Sequence, residues 1–516
     1  MNDFAKDRII VVTNNESSLK FSNYSSEMFS EINCISVQNL TSGMEEKIKS
    51  LVDIPKENLN PNQQKRIENY NQILCLQLAS EDNNSLLYAL EKIKARSDIL
   101  LAIPDYKFSL CEAEATASGL FSMWGHEKIQ LTDALDIKEN NNTVIVGVLD
   151  TGIDGNHVSL SSQVNIELSR DFTKNDYLIS ESIDYDGHGT NVAGIIGSQN
   201  IYPIIGIHGV CLNTQLVSLR VFAEDDDYES DGADSFLSRL IIAINYAETQ
   251  NIPILNFSGS AVHYTNNIGE LLYQTIENYS GLFVCSAGNT GRNNDLYDII
   301  PSNYDLPNLI SVGASNSNDQ PAQFNSTNSS NYGQQTVDIF APGYEIATTG
   351  LSNNFVYVNG TSMAAPFVTG VAALLLSENP NLSAEEIKHI IMNNVDECSE
   401  LADKCVSGGR LNAYKALSNI CQHSYEYLYQ GSGINHTVIC TRCNFSYREN
   451  HNLKIIQYNN RQHEVYCSKC DYYFYESHVW NSDYTRCTEC KYSIFGSLWS
   501  LKEINSNYLY KKATRY

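Results

Sequence analysis

Three short segments of the chain carry an aspartate, a histidine and a serine in surroundings that suit chemistry. Asp150 ends a short apolar run, His188 lies in the segment D-Y-D-G-H-G-T, and Ser362 lies in G-T-S-M-A-A-P, ahead of a long apolar stretch. A serine hydroxyl is a weak nucleophile until a neighbouring base removes its proton, so these residue types together suit nucleophilic catalysis. We expect Asp150 at the end of a buried strand, with His188 and Ser362 at the beginnings of two helices.

The motifs D-T-G, H-G-T and G-T-S-M-A-x-P, in this chain order, resemble those of the subtilase family of serine endopeptidases. The resemblance covers about residues 119–419. It implies that Ser362 is the nucleophile, that His188 is the general base and then the acid, and that Asp150 orients the imidazole and stabilises its charged form. The implied function is hydrolysis of peptide bonds in peptide or protein substrates through an acyl-enzyme. The alternative is a catalytically silent subtilase scaffold that binds a protein partner through its tail.

Two further segments resemble parts of the same family's site. In C-S-A-G-N-T-G, Asn289 corresponds to the residue whose side-chain amide stabilises the oxyanion, with the backbone N–H of Ser362 as the second donor. In L-N-F-S-G-S, residues Ser258, Gly259 and Ser260 correspond to the strand that pairs with an extended substrate. The family usually has glycine where this chain has Ser260, which leaves the shape of the substrate-binding site open.

The hydrophobic pattern predicts the elements that position these residues. Between residues 119 and 419, short apolar runs rich in β-branched residues alternate with amphipathic helical stretches. This alternation predicts an α/β fold with a mostly parallel sheet and helices on both faces. Functional residues in such sheets lie at the carboxyl ends of the strands. The resemblance narrows the prediction to the subtilisin-like three-layer fold, with residues 119–419 as a peptidase domain.

The pattern of residues 8–108 predicts a small α+β domain. Its expected elements are two strands, one helix and an apolar run that ends at Pro104, namely Ile9–Thr13, Ile73–Ala79, Asn84–Arg96 and Ile99–Ile103. Residues 89–105 resemble the end of a subtilase propeptide, which implies an intramolecular inhibitor that is cleaved off between Lys107 and Trp124. We expect an exposed linker over residues 111–118. An ordinary N-terminal subdomain is the alternative.

The last part of the chain contains a repeat of histidine and cysteine. The pattern H-x3-C-x2-C-x7-H occurs twice, each element displaced by 27 residues, and a third C-x-x-C pair follows. Sets of two cysteines and two histidines suit tetrahedral zinc, so we predict structural zinc in a zinc-ribbon-like region over residues 421–495, followed by a tail over residues 496–516. The candidate ligands are His423, His436, Cys440, Cys443, His451, His463, Cys467, Cys470, His478, Cys487 and Cys490.

Three alternatives stay open in this region. The ligands group in two ways, depending on whether the first set begins at His423 or at His436. The third cysteine pair lacks an obvious fourth ligand. Disulfides or free thiols in a tyrosine-rich repeat are the alternative to zinc.

The acidic segment Glu224–Asp231, with Asp234, borders the substrate cleft in the family. It predicts either a solvated acidic loop, or a preference for basic substrates, or a calcium site. Gln199 and Asn200 lie where subtilases often bind calcium, although the match is imperfect. Calcium is therefore a second candidate cofactor.

The charge and hydropathy of the whole chain argue against other functions. The formal net charge is −26, whereas nucleic-acid binding needs a basic surface. No window approaches 18 uninterrupted apolar residues, so no membrane span is predicted. The N-terminal residues lack a basic segment followed by an apolar core, so no ordinary signal peptide is predicted. The expected location is the cytoplasm, with secretion as the alternative.

Overall fold

The structure is a computed structural model of the chain. It describes residues 4–14, 23–55, 59, 61–68, 70–111, 113–116, 121–174, 183–200, 207–223, 234–262, 266–420, 425–428, 435–440, 446–450, 453–457, 462–470 and 472–477. The chain divides into two compact units, Met1–Ile420 and Cys421–Tyr516.

The N-terminal part of the first unit, residues 4–110, is an antiparallel sheet packed against helices. Its elements are β1 (Phe4–Thr13), a 3₁₀ helix (Ser26–Ile32), β2 (Cys34–Asn39), α1 (Met44–Val52), α2 (Pro61–Glu68), β3 (Ile73–Leu78), α3 (Asn83–Lys94) and β4 (Ile99–Leu110). The strand order is β2-β3-β1-β4, and every neighbouring pair is antiparallel. Asp82 begins α3 because its carboxylate accepts hydrogen bonds from the backbone N–H groups of Asn84 and Ser85. The apolar face of α3 packs on β1 and β3.

The remainder of the first unit is built around a nine-stranded sheet. The strands of this part are β5 (Ala113–Thr116), β6 (Val144–Asp150), β7 (Arg170–Asp171), β8 (Thr214–Arg220), β9 (Asp234–Phe236), β10 (Ile254–Phe257), β11 (Gly259–Val262), β12 (Leu282–Ser286), β13 (Ile299–Ile300), β14 (Leu309–Ser315), β15 (Ile339–Pro342), β16 (Ile346–Thr349), β17 (Phe355–Asn359), β18 (Asp396–Glu397) and β19 (Gly409–Arg410). Its helices are α4 (Trp124–Lys128), α5 (Leu131–Asp136), α6 (His188–Gly197), α7 (Leu237–Thr249), α8 (Asn266–Glu277), α9 (Thr361–Glu378), α10 (Ala384–Asn393) and α11 (Ala413–Ser418).

The order of the large sheet is β18-β19-β15-β14-β12-β10-β6-β8-β7. All neighbouring pairs are parallel except β18 with β19. Helices cover both faces, with α6 and α9 in the core on one side and α7 and α8 in the core on the other. The α/β fold with a mostly parallel sheet, predicted from the alternation of apolar runs, is confirmed.

Helix α9 explains the long apolar stretch that follows Ser362. It is the one helix in the described part of the chain that is long and apolar enough to cross a membrane by composition. However, 94% of it is buried inside the first unit, so its hydrophobicity is accounted for by the protein core.

Strand β4 links the N-terminal sheet to the rest of the unit, and it is longer than predicted. The sequence-based prediction ended the apolar run at Pro104, but the strand continues to Leu110. Pro104 lies opposite Ile9, beside a shift in the strand register, where a residue without an N–H donor is tolerated. The last residues of β4 then pair with β9 on one edge and with β11 on the other. The end of β4 therefore lies among elements of the peptidase-like part.

The described residues of the second unit form two three-stranded antiparallel sheets. Their strands are β20 (Tyr425–Leu428), β21 (Asn435–Cys440) and β22 (Ser446–Asn450) in one sheet, and β23 (Leu453–Gln457), β24 (Gln462–Cys467) and β25 (Tyr473–Ser477) in the other. His436 lies opposite Glu449 in the first sheet, and His463 lies opposite Glu476 in the second. The repeat in the sequence is therefore also a repeat of strand pairing.

Candidate active site

Asp150 and His188 form a buried pair at the carboxyl end of the parallel sheet. Asp150 is the last residue of β6 and His188 is the first residue of α6, the positions expected from the sequence. Nδ1 of His188 lies 2.7 Å from Oδ1 of Asp150, and both side chains are almost entirely buried. The same Oδ1 accepts a hydrogen bond of 2.8 Å from the N–H of Thr151. The carboxylate holds the imidazole through Nδ1, so proton exchange with a third group would use Nε2.

A second buried carboxylate, Asp184, ties together the loops that carry this pair. It accepts hydrogen bonds from the hydroxyl of Thr151 at 2.9 Å and from the hydroxyl of Thr190 at 2.7 Å. The neighbouring carboxylate of Asp186 accepts a hydrogen bond of 3.0 Å from the N–H of His188. Burial raises the pKa of Asp186, although that hydrogen bond acts in the opposite direction. The sequence assigned no role to Asp184, although Asp184 is the first residue of the D-Y-D-G-H-G-T motif that contains His188.

Ser362 is the second residue of α9, and it follows two positions after Gly360, whose position excludes a side chain. Gly360 has a φ of 141°. A Cβ there would lie 2.7 Å from Oγ of Ser362 and 2.9 Å from the carbonyl oxygen of Cys111. Ser362 is fully buried, as is the helix that follows it. The helix N-terminus favours negative charge close to the hydroxyl.

Asn289 and Ser362 converge on one backbone carbonyl, that of Cys111. Oγ of Ser362 donates to this oxygen at 2.6 Å, and Nδ2 of Asn289 donates to it at 2.5 Å. Oδ1 of Asn289 accepts hydrogen bonds from the N–H and the hydroxyl of Thr361, at 2.9 and 2.8 Å, which fixes the orientation of the amide. The role of the backbone N–H of Ser362 as the second oxyanion donor stays a prediction.

Ser258, Gly259 and Ser260 bind the chain segment that ends in Cys111. The N–H of Cys111 donates to the carbonyl oxygen of Ser258 at 3.1 Å. Gly259 and Ser260 pair antiparallel with the two residues that precede Cys111. The opposite edge of the same segment pairs with β9. An extended chain therefore lies between two strands here, which is the contact expected from β-augmentation.

The environment of Cys111 differs from the exposed linker that the sequence suggested. Cys111 is only 4% exposed, because its backbone is paired on β11 and its carbonyl is held by two donors. β5, which begins two residues later, pairs with β17. Described strands therefore lie on both sides of this point in the chain, β4 before it and β5 after it. Composition alone does not reveal this, because small and polar residues suit both a loop and a bound strand.

Five of the proposed metal ligands lie in the described part of the tail. The structure describes the backbone of His436, Cys440 and His463, and the backbone and side chains of Cys467 and Cys470. The other six, namely His423, Cys443, His451, His478, Cys487 and Cys490, lie outside the described residues. Among the residues that are described, no group of three or more His, Cys, Asp or Glu side chains could hold a metal ion.

The cysteine pair in the second sheet is nevertheless well defined. Cys467 is buried and Cys470 is partly buried, and neither forms a disulfide. The N–H of Lys469 donates to Sγ of Cys467 at 3.4 Å.

The candidate calcium segments are described only in part. Of the acidic segment, only Asp234 lies within the described residues, and its carboxylate pairs with Lys107 at 3.2 Å. The side chain of Gln199 donates to the carbonyl oxygen of Leu212 at 2.9 Å. Residues 201–206, which follow Asn200, and residues 224–233 lie outside the described part of the chain.

The fold is that of an α/β protein with its polar residues at the carboxyl ends of parallel strands, and comparison with known proteins identifies its family. The subtilase family model matches residues 141–422. The chain is 32% identical over 318 residues to a thermophilic serine proteinase of Bacillus sp. (strain AK1), which covers 61% of this chain and 72% of that protein. The chain belongs to the subtilase family of serine endopeptidases.

Other relatives agree in family but differ in length. Thermitase of Thermoactinomyces vulgaris is 32% identical over 298 residues, which cover 57% of this chain and 95% of that protein. Subtilisin-like protease 2 of Plasmodium falciparum (isolate 3D7) is 31% identical over 312 residues, which cover 58% of this chain but only 22% of that protein. The chain therefore spans about a fifth of the length of that relative.

A solved structure shares the fold at low identity. It is the epidermin leader peptide processing serine protease from Staphylococcus aureus. The TM-score is 0.57 at 18% identity, and the match covers 81% of this chain and 99% of that one.

Proposed function

We propose that the chain is a serine endopeptidase in which Ser362 is the nucleophile, His188 the general base and Asp150 the residue that orients His188. The observation that carries the proposal is the convergence of Ser362 Oγ and Asn289 Nδ2 on one peptide carbonyl. The 2.7 Å contact between Asp150 and His188 supports the orienting role. A catalytically silent scaffold is not favoured, because all four polar residues of the family's site are present.

The proposed reaction gives these residues the roles that the family resemblance implies. Ser362 Oγ attacks the carbonyl carbon while its proton passes to Nε2 of His188. The negative charge that forms on the carbonyl oxygen is stabilised by the amide of Asn289 and by the N-terminus of α9. His188 then protonates the leaving nitrogen, the C–N bond breaks, and water hydrolyses the resulting ester to release a carboxylate. In a subtilisin, removal of one such oxyanion donor lowers turnover about 10²–10³-fold.

We propose that the N-terminal region is an intramolecular propeptide and that the enzyme removes it. The carbonyl bound by Ser362 and Asn289 belongs to Cys111, so the cleaved bond is the one that joins Cys111 to Glu112 in the sequence. The extended segment on β9 and β11 fills the cleft and would exclude other substrates. Asp105 supports the docking, because its buried carboxylate accepts hydrogen bonds from the N–H and the hydroxyl of Ser238 at 2.9 and 2.7 Å. Ser238 lies in the first turn of α7, where a carboxylate stabilises the helix.

Intact mass of the purified full chain tests both parts of the proposal. We expect the wild type to lose residues 1–111 and the Ser362→Ala variant to stay whole. Ser377→Ala is the matched control, because Ser377 lies at the other end of α9 and its buried hydroxyl makes no hydrogen bond. A fluorophosphonate should label the wild type and the control but not Ser362→Ala. Labelling of Ser362→Ala, or loss of the N-terminal region from it, would overturn the proposal.

We also propose that the second unit holds structural zinc through its repeated cysteines and histidines. The common strand pairing of the two sheets and the N–H directed at Cys467 Sγ support this. Zinc would staple a unit with few apolar residues. Metal analysis of the full chain should find about two zinc ions per chain, and Cys467→Ser should lose about one. Cys398→Ser, in the first unit, is the control. An unchanged zinc content in Cys467→Ser would contradict the proposal.

A further inference from the structure

The side chain of Cys111 fills a closed pocket beside the proposed nucleophile. Its thiol donates to Oγ of Ser260 at 3.2 Å, and the residue is 4% exposed. Under the proposed function, on which this inference rests, Cys111 is the residue that precedes the cleaved bond. Its pocket is therefore the one that any substrate must fill at this position.

The pocket is lined by hydroxyl groups from three different elements. Ser260 lies in β11, Ser286 ends β12, and Thr361 begins α9. Burial raises the pKa of the Cys111 thiol, and the hydroxyls of all three residues act against that rise, so they lie around the sulfur. The hydroxyl of Ser286 is buried and makes no hydrogen bond of regular geometry. A small polar side chain suits this lining better than a hydrocarbon, because buried hydroxyls without partners cost free energy.

Ser260 sets the depth of the pocket. Its backbone is fixed by pairing with Ser109, so the backbone cannot move away from the pocket without breaking the strand ladder. The sulfur of Cys111 is a γ atom and already lies at hydrogen-bonding distance from Ser260 Oγ. A side chain that extends beyond its γ atom would overlap with this hydroxyl, and such overpacking is costly in a closed site.

We propose that Ser260 restricts the site to peptides with a small side chain before the cleaved bond, with cysteine and serine accepted and leucine and phenylalanine rejected. Glycine at this position would remove the hydroxyl and open the pocket. The substrate class is therefore an extended peptide segment with cysteine or serine at its cleavage point.

The specificity can be measured on the full chain as the rate of cleavage after residue 111, with intact mass as the readout. We expect Cys111→Ser to be cleaved within about tenfold of the wild-type rate and Cys111→Phe to be cleaved at least about 100-fold more slowly. The double variant Cys111→Phe with Ser260→Gly should recover at least about tenfold, because the ring then has room. Leu100→Phe is the control, since Leu100 is 62% exposed on the same strand and outside the cleft.

The outcomes separate this inference from the proposed function. Cleavage of Cys111→Phe at the wild-type rate, or no recovery in the double variant, would overturn the role of Ser260 while the peptidase proposal stands. Cleavage of the wild type at another bond, still dependent on Ser362, would overturn this inference and the proposed cleavage after Cys111, while the peptidase proposal stands. A wild type that is not cleaved at any bond would overturn the proposed self-processing and this inference together.

Discussion

The N-terminal region contacts the peptidase-like core at two places that differ in chemistry. At the cleft, the contact consists mainly of backbone hydrogen bonds, with Phe108 buried against Phe257 at a ring separation of 6.2 Å. At the end of α7, the contact is charged, because buried Glu248 pairs with Arg66 at 3.0 Å and with Lys47 at 3.4 Å. Backbone pairing accepts many extended peptides, whereas the charged contact depends on the side chains of Arg66 and Lys47. We infer that the contact at the cleft presents the peptide bond to the catalytic residues. The charged contact holds the N-terminal region on the core.

The charged contact is favourable because the carboxylate of Glu248 is held from both sides. Burial pushes its pKa upwards, but hydrogen bonds from the hydroxyl and the N–H of Ser280, at 2.6 and 2.9 Å, and the charges of Arg66 and Lys47 outweigh burial. The net effect is a lowered pKa. The carboxylate is thus ionised and fully partnered, the condition under which a buried charge does not destabilise the protein.

The largest expected effect is on the rate of cleavage, and it distinguishes the catalytic residues from the contact that holds the N-terminal region. Asp150→Asn should lower the rate of cleavage after Cys111 about 10⁴-fold, because an amide cannot hold the histidine in the required tautomer. The free energy of unfolding should change far less. Asp136→Asn, an exposed change at the end of α5, is the control. Cleavage of Asp150→Asn at a rate close to wild type would contradict the role of Asp150.

The next effect concerns the cleft contact. In the uncleaved Ser362→Ala background, Phe108→Ala should lower the free energy of unfolding by about 3–5 kcal/mol, because the ring is fully buried. Leu87→Ala is the control, since Leu87 is 63% exposed. Chemical denaturation measures the difference. Equal losses for the two variants would show that Phe108 does not anchor the segment.

A somewhat smaller effect is expected at the charged contact. Glu248→Gln in the same background should cost about 3 kcal/mol, because Arg66 and Lys47 lose their carboxylate while the neutral amide can still accept from Ser280. Glu270→Gln, an exposed change on α8, should cost little. Once the chain is cut, Glu248→Gln should also release the N-terminal region faster, as gel filtration would show. Retention of the N-terminal region as strong as in the wild type would contradict the proposed role of the charged contact in holding it.

The pH dependence of the charged contact has a definite sign. Because the pKa of Glu248 is lower in the folded protein than its ordinary value, its stabilisation is present above the ordinary range of about 4 and is lost as the pH falls through the folded value. The stability difference between wild type and Glu248→Gln should therefore shrink at acid pH. Denaturation at several pH values measures it, and a difference that grows on acidification would refute the assignment.

The smallest effect is expected at the edge of the cleft. Lys107 pairs with Asp234 at 3.2 Å, but Lys107 is partly exposed to solvent. Lys107→Gln should change the free energy of unfolding by less than about 1 kcal/mol, and salt should reduce the effect further. A loss as large as that of Glu248→Gln would show that both contacts depend on charge and would remove the contrast between them.

Much of the fold was predictable because its signals are local. Asp150 at a strand end and Ser362 at a helix beginning follow from short apolar runs and small residues near them in the chain. The capping box of α10, in which Ser383 and Glu386 exchange hydrogen bonds, is also a local feature, because both residues lie within one S-x-x-E segment. The end of β4 was not predictable in this way, because Pro104 is tolerated only through its position beside a register shift.

The sequence by itself determined the family motifs and the parallel α/β core, and it predicted a cleavage interval between Lys107 and Trp124. The tertiary structure decided which residue within that interval meets Ser362, because the register of β4 between β9 and β11 brings the carbonyl of Cys111 to the two donors. It also brought Glu248 to Arg66, which lies 182 residues away in the chain. Such contacts leave no periodic trace in the sequence, because they depend on the packing of elements and not on the pattern within any one of them.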